Sequence, residues 1–178
     1  MKKLLIVVDY QKDFVDGALG FAKAATLDEG ICAKISAYRQ AGDAVAFTYD
    51  THQANYMDTQ EGKYLPVIHC VKDTDGWALI PELEKIRVEK DCKCYDKPTF
   101  GSTALAADIK SSYEAGEIET VELIGICTDI CVVSNALLIK AYCPELPISL
   151  DSACCAGVTP EKHEAALETM RSCQIQVK

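Results

Sequence analysis

No apolar run in this 178-residue chain approaches the length that crosses a bilayer. The one stretch that looks like a leader, Leu4 to Val8 behind Met1-Lys2-Lys3, stops after five residues at Asp9 and offers no small-residue cleavage site. A cytoplasmic protein is expected. No cluster of lysine or arginine stands out, and a net charge of −9 makes nucleic acid and anionic membrane surfaces poor partners. No repeat, low-complexity block or linker divides the sequence, so a single domain over residues 1–178 is expected, long enough to bury its own core. The ten cysteines lack a secretory signal and the paired C-x-x-C spacing of a structural zinc site, and no histidine lies close to Cys92-x-Cys94 or Cys154-Cys155. Most of them therefore read as reduced core residues, against the alternative of a thiol-rich redox or metal-buffering protein.

What is present alternates. Leu4 to Val8 is a continuous branched apolar run, the mark of a strand buried on both faces. Ala44 to Tyr49, Pro66 to Val71, Val121 to Ile126 and Leu146 to Leu150 read as further strands, with a short one opening at Val88 and an edge strand at Ile175 to Val177. Between them, Ile31, Ile35 and Tyr38 recur at helical spacing ahead of Gly42, and Leu105, Ile109 and Tyr113 mark a second helix. Val133, Leu137 and Tyr142 share a third helical face, and Thr159-Pro160-Glu161 opens a fourth helix with the stripe Ala166, Leu167, Met170 and Cys173. The pattern predicts an α/β three-layer sandwich around a mostly parallel, doubly wound sheet. In such a sheet the functional crevice lies beyond the carboxyl ends of the strands, which singles out Asp9, Asp50, the segment after Ile126, and Asp151.

Cys131 follows the Val121–Ile126 strand in Gly125-Ile126-Cys127-Thr128-Asp129-Ile130-Cys131. A cap at Thr128 or Asp129 would put its thiol in the first turn of a helix, where the dipole favours a thiolate nucleophile. A small buried hydrophobe is an equally open reading of the segment. Asp9, taken alone, reads as a strand-end carboxylate bonded to amides, or as one placed to accept a proton in the crevice. Asp50 and His52, at i and i+2 of extended chain, point to one side, and His69 ends the expected third strand. Two imidazoles and a carboxylate suit Zn²⁺, Fe²⁺ or Mn²⁺. Lys97 precedes a proline and so belongs to extended chain; alone it reads as a solvated surface lysine. His163, at the start of an apolar helix stripe, reads as structural.

Together these segments resemble the isochorismatase-like cysteine hydrolases, and within them the nicotinamidase (pyrazinamidase) branch. Val8-Asp9-Tyr10-Gln11-Lys12-Asp13-Phe14, Asp50-x-His52, Pro66-x-x-His69-Cys70-Val71, Lys97 with Phe100 and Thr103, and Gly125 to Val132 match that branch's motifs in order. The resemblance implies a catalytic triad of Asp9, Lys97 and Cys131. It also implies an oxyanion hole from the backbone N–H groups of Cys127 and Cys131, with a cis peptide between Ile126 and Cys127. It implies a divalent metal, zinc first and iron or manganese next, held by Asp50, His52 and His69. Glu61 is the preferred fourth ligand and Asp58 the second choice. Phe14 is implied as one wall of the substrate pocket, and Tyr64 or Leu65 as the residue packing on the substrate ring. The implied activity is hydrolysis of nicotinamide, or a related pyridine or pyrazine carboxamide, through a Cys131 thioester, with a place in NAD salvage. A homo-oligomer is compatible with it. The alternative is a metal-independent cysteine hydrolase of the same fold acting on another amide or ureido substrate.

Overall fold

The strands form where apolar runs can be covered from both sides. The computed structural model describes residues 1–178 and contains one six-stranded sheet, all of whose pairings are parallel. The strands are β1 (Lys2–Val8), β2 (Ala44–Asp50), β3 (Lys93–Lys97), β4 (Ile118–Ile126), β5 (Ile148–Ala156) and β6 (Gln176–Val177), in the spatial order β3-β2-β1-β4-β5-β6. Seven helices connect or flank them: α1 (Lys12–Val15), α2 (Asp28–Gln40), α3 (Gln60–Tyr64), α4 (Pro81–Glu89), α5 (Thr103–Glu114), α6 (Val133–Tyr142) and α7 (Pro160–Ser172). Helices α2 and α4 serve the crossovers that run outward from β1 to β3. Helices α5, α6 and α7 serve those that run the opposite way. Right-handed crossovers therefore place the two sets on opposite faces, the expected three-layer sandwich.

The order of strand addition reverses between β1 and β4, which run parallel, and this makes their junction the switch point where such sheets open a crevice. Gly125 sits there with φ +114°, opposite Val8, and a Cβ at this position would stand 2.2 Å from the Val8 carbonyl oxygen. Only glycine lets the two central strands meet this closely. Leu5 to Val8 are fully buried, as the continuous apolar run requires. All ten cysteines are free thiols, and Cys70, Cys92, Cys127, Cys131, Cys143, Cys154 and Cys155 are buried.

Three strand expectations change. Pro66 to Val71 is not a strand: it makes one isolated parallel bridge, Val71 with His52, and leaves Ile68 57% exposed. Proline removes a ladder donor at its start, and no sheet neighbour covers its apolar side chains. Val88 lies in the last turn of α4, exposed; the strand comes later, at Lys93–Lys97. The strand expected at Leu146 begins after Pro147 and runs on to Ala156.

Candidate active site

Asp9 closes β1 in the left-handed region, φ 46°, a conformation that a short acidic side chain tolerates better than most. Its Oδ1 accepts from Thr48 Oγ1 at 2.6 Å, which ties the end of β1 to β2. Lys97 closes β3 and is 1% exposed, so the surface reading fails. Its ammonium lies 2.5 Å from Asp9 Oδ2, 3.5 Å from Asp50 Oδ1 and 3.5 Å from Cys131 Sγ, and it donates to the Thr99 carbonyl at 3.2 Å. Three strand ends thus bring Asp9, Lys97 and Cys131 to one point.

Cys131 belongs to a π-helical turn, Thr128–Val132, that leads into α6. Neither expected cap acts as one. Thr128 Oγ1 bonds His163 Nδ1 at 2.8 Å, and Asp129 accepts from the Val158 amide at 2.9 Å, so both side chains anchor the segment around α7 instead. His163 is structural, as expected. The Ile126–Cys127 peptide is cis. Burial and the Asp9 charge push the Cys131 thiol well up, against the pull of Lys97, so they oppose the thiolate that a helix start would favour. Burial likewise raises Asp9, with Lys97 opposing it, while Asp9, Cys131 and Asp50 outweigh burial to keep Lys97 charged. Burial thus raises the proton affinity of both Asp9 and Cys131, with the Lys97 ammonium opposing it at each.

Next to it lies a donor set. Asp50 ends β2, and His52 and His69 bring Nε2 to 3.0 and 3.3 Å from Asp50 Oδ2. Glu61, on α3, places Oε1 3.7 Å from His52 Nε2 and 3.9 Å from His69 Nε2. One ligand atom from each of the four lies within 4.8 Å of the others, and Asp58 is not among them. His69 Nδ1 bonds the Val67 carbonyl at 2.8 Å, which directs Nε2 inward. Two imidazoles, two carboxylates and a fixed tautomer fit a divalent first-row ion.

Sequence reasoning missed how this set is held. Gln11 is fully buried; its amide donates to the carbonyls of Asp50 at 2.9 Å and Trp77 at 2.8 Å and accepts from the Asp50 amide at 2.8 Å. Asp13 Oδ2 accepts from the Cys70 amide at 2.7 Å, beside His69. Asn135 donates to the Phe100 and Cys131 carbonyls and accepts from the Ser102 amide, coupling the Lys97 segment to the nucleophile turn. Gln11 and Asp13 stand in the opening motif, but their partners are backbone groups that no sequence pattern displays.

A cavity of about 540 Å³ joins the two clusters. Asp50, Glu61 and His69 line one part of it, and Cys127 and Cys131 another. Phe14 is on the wall, its ring edge-on to His69 at 5.5 Å between centroids. Leu65 lines the cavity but Tyr64 does not: Tyr64 is 85% exposed and points outside, which corrects its expected place on the substrate ring. Phe21, Phe100, Ile130 and Lys162 also line it. Phe100 and Ile130 stand in motif segments that give no hint of a wall role, and the sequence does not single out Phe21 and Lys162, because elements distant in the chain deliver them.

Over residues 3–177 the chain matches the family model described as the isochorismatase domain. The chain belongs to the isochorismatase family. This isochorismatase-family hydrolase superposes on the nicotinamidase/pyrazinamidase PncA of Bacillus subtilis with a TM-score of 0.85 and 30% identity, over 99% of both chains. The N-carbamoylsarcosine amidase of Thermoplasma acidophilum gives 0.80 and 27%, over 100% of this chain and 96% of that one. The pyrazinamidase of Pyrococcus horikoshii in complex with zinc shares the fold, with a TM-score of 0.82 and 24% identity over 100% and 99% of the two chains.

Proposed function

We propose that this hydrolase is a metal-bearing nicotinamidase, converting nicotinamide to nicotinic acid and ammonia. The observation that carries the reading is the shared cavity: a heteroaromatic ring inside it has metal donors at one side and a buried thiol at the other. A metal-independent amidase has no evident use for the set Asp50, His52, Glu61 and His69, three of which, all but His52, line the same cavity. The likeness to B. subtilis nicotinamidase/pyrazinamidase points the same way.

Asp9, Lys97 and Cys131 take the chemical roles. Asp9 Oδ2 is fully buried and has no hydrogen bond of ordinary geometry, although Lys97 lies 2.5 Å away. It is the atom to take the Cys131 proton as sulfur attacks the carboxamide carbon. Lys97 stays charged and stabilises the thiolate as it forms. The backbone N–H groups of Cys127 and Cys131 are assigned to the tetrahedral oxyanion. Asp9 then returns the proton to the departing ammonia and deprotonates the water that opens the thioester. When bound by Asp50, His52, His69 and Glu61, a divalent ion, zinc first, supplies a Lewis-acidic position that orients the ring nitrogen. Phe14 and Leu65 pack on the ring.

The test is ammonia release from nicotinamide by the intact protein, its chelator-treated form and a Cys131→Ala variant. Turnover is expected to fall at least about a thousandfold in the variant, and to be lost on chelation and restored by zinc. Full activity after complete metal removal would pass the site to the metal-independent alternative.

A further inference from the structure

A second cleft, of about 720 Å³, opens off the catalytic cavity and shares Glu61, Leu65, Phe100 and Ile130 with it. Nicotinamide, a single ring with one carboxamide, does not need this space, since the inner cavity already lies within the range of roughly 300–1,000 Å³ that holds a drug-sized ligand. The outer cleft carries large side chains left uncovered at the entrance: Tyr64 is 85% exposed, Phe100 43% and Leu65 37%. Uncovered aromatic surface with a polar border of Gln60 and Thr99 is the composition of a binding surface.

Two anchors set how a pyridine carboxamide lies here. Its ring nitrogen faces the Asp50, His52, Glu61 and His69 donors, and its carboxamide carbon faces Cys131. These ring positions are meta to one another. Lys97, 3.5 Å from both Asp50 Oδ1 and Cys131 Sγ, marks the floor between the two anchors, so the short edge of the ring, the single carbon between them, is placed toward it. The opposite carbon, position 5, therefore points away from the sheet, toward the entrance. Glu61 is the one charged residue on the outer cleft, and its carboxylate is committed to the metal-donor set, so no free charged side chain is left there for an ionic occupant.

Resting on the nicotinamidase reading, we propose that this enzyme also takes nicotinamides carrying a neutral aromatic group on carbon 5, and that Tyr64, Leu65 and Phe100 form the subsite for that group. The same frame excludes substrates bearing a group on the ring nitrogen, because that nitrogen is committed to the donor set.

Initial rates on nicotinamide and 5-phenylnicotinamide, using metal-loaded wild type and Tyr64→Ala, test the subsite. Wild type is expected to hydrolyse both, with kcat/KM for the phenyl compound at least equal to that for nicotinamide. In Tyr64→Ala the ratio of the two values is expected to fall about three- to tenfold, the loss of one aromatic contact. Ammonia from nicotinamide but none from 5-phenylnicotinamide would overturn the subsite and leave the nicotinamidase reading intact. Release from neither compound would remove both. An unchanged ratio in Tyr64→Ala overturns the subsite too, and a changed sedimentation mass in that variant would assign the exposed ring to a second copy of the chain.

Discussion

Two buried carboxylates on adjacent strands meet lysines in opposite ways. Glu122, in the middle of β4, is 2% exposed, and Asp9, at the end of β1, is fully buried. Glu122 Oε1 accepts from Lys178 at 2.8 Å; Oε2 accepts from the Tyr38 hydroxyl at 2.7 Å and lies 3.5 Å from Lys34. Burial pushes Glu122 up, but Lys178, Tyr38 and Lys34 outweigh it and hold its carboxyl below the ordinary range. Asp9 has one well-bonded oxygen and one without a hydrogen bond of ordinary geometry, and there burial wins. The difference is between a carboxylate satisfied so that it ties α2, β4 and the segment after β6 together, and one left able to take a proton. Stability is built into the body of the sheet, and chemistry is placed at its carboxyl edge.

The largest expected effect breaks the second carboxylate. Asp9→Asn keeps the shape and removes the base, so nicotinamide turnover should fall about 10²- to 10⁴-fold. Asp9 also raises the Cys131 thiol, so the same substitution should lower that thiol's pKa. Alkylation of Cys131 near neutral pH, corrected with Cys131→Ala for the other cysteines, is then expected to speed up while catalysis collapses. Slower alkylation together with lost turnover would mean that Asp9 merely holds the site's shape.

Breaking the first carboxylate should leave chemistry alone and cost stability. Glu122→Gln presents an amide where Lys178 and Lys34 bring ammonium groups, at an expected cost of about 1–3 kcal/mol at neutral pH, since both lysines keep partial contact with water. Because the folded carboxyl titrates below its ordinary 4.5, the stabilisation is complete above that pH and is lost as pH falls through the folded value. Denaturant melts of the two proteins should therefore differ at pH 7 and draw together in acid, as pH falls through the lowered folded value. A gap that persists undiminished in acid would assign the cost to packing rather than charge.

Sequence legibility followed the same division. Strands β1, β2 and β4 announce themselves because burial on both faces demands mostly apolar runs, broken only by single polar residues such as Thr48 in β2 and Glu122 in β4. Strand β3, Lys-Cys-Tyr-Asp-Lys at the sheet edge, offers no such run, and Val67-Ile68 imitates one without joining the sheet. Asp9, Asp50 and Cys131 are legible because strand ends are where such folds work. The burial of Lys97 is not, since its partners come from three other strand ends that only the fold assembles. Tyr64 shows the converse: its type and spacing suggest a ring contact, yet the short helix α3 turns it outward while Phe21 and Phe100 reach the cavity.

The smallest test isolates one bond of the satisfied network. Tyr38 stands on α2 and its hydroxyl donates to Glu122 Oε2, with burial and that carboxylate together raising the phenol beyond reach of titration at neutral pH. Tyr38→Phe removes the donor and leaves the ring packed, so about 1 kcal/mol should be lost, a fall of roughly 2–4 °C in Tm for a chain of this size. Because the hydroxyl is one of the groups that hold the Glu122 carboxyl below its ordinary range, this smaller gap is also expected to narrow in acid, by less than that of Glu122→Gln. In the double variant with Glu122→Gln, the combined loss should be less than the sum, because both substitutions break the same bond. Strict additivity would show that the hydroxyl and the carboxylate act independently, and that the network is three separate contacts rather than one.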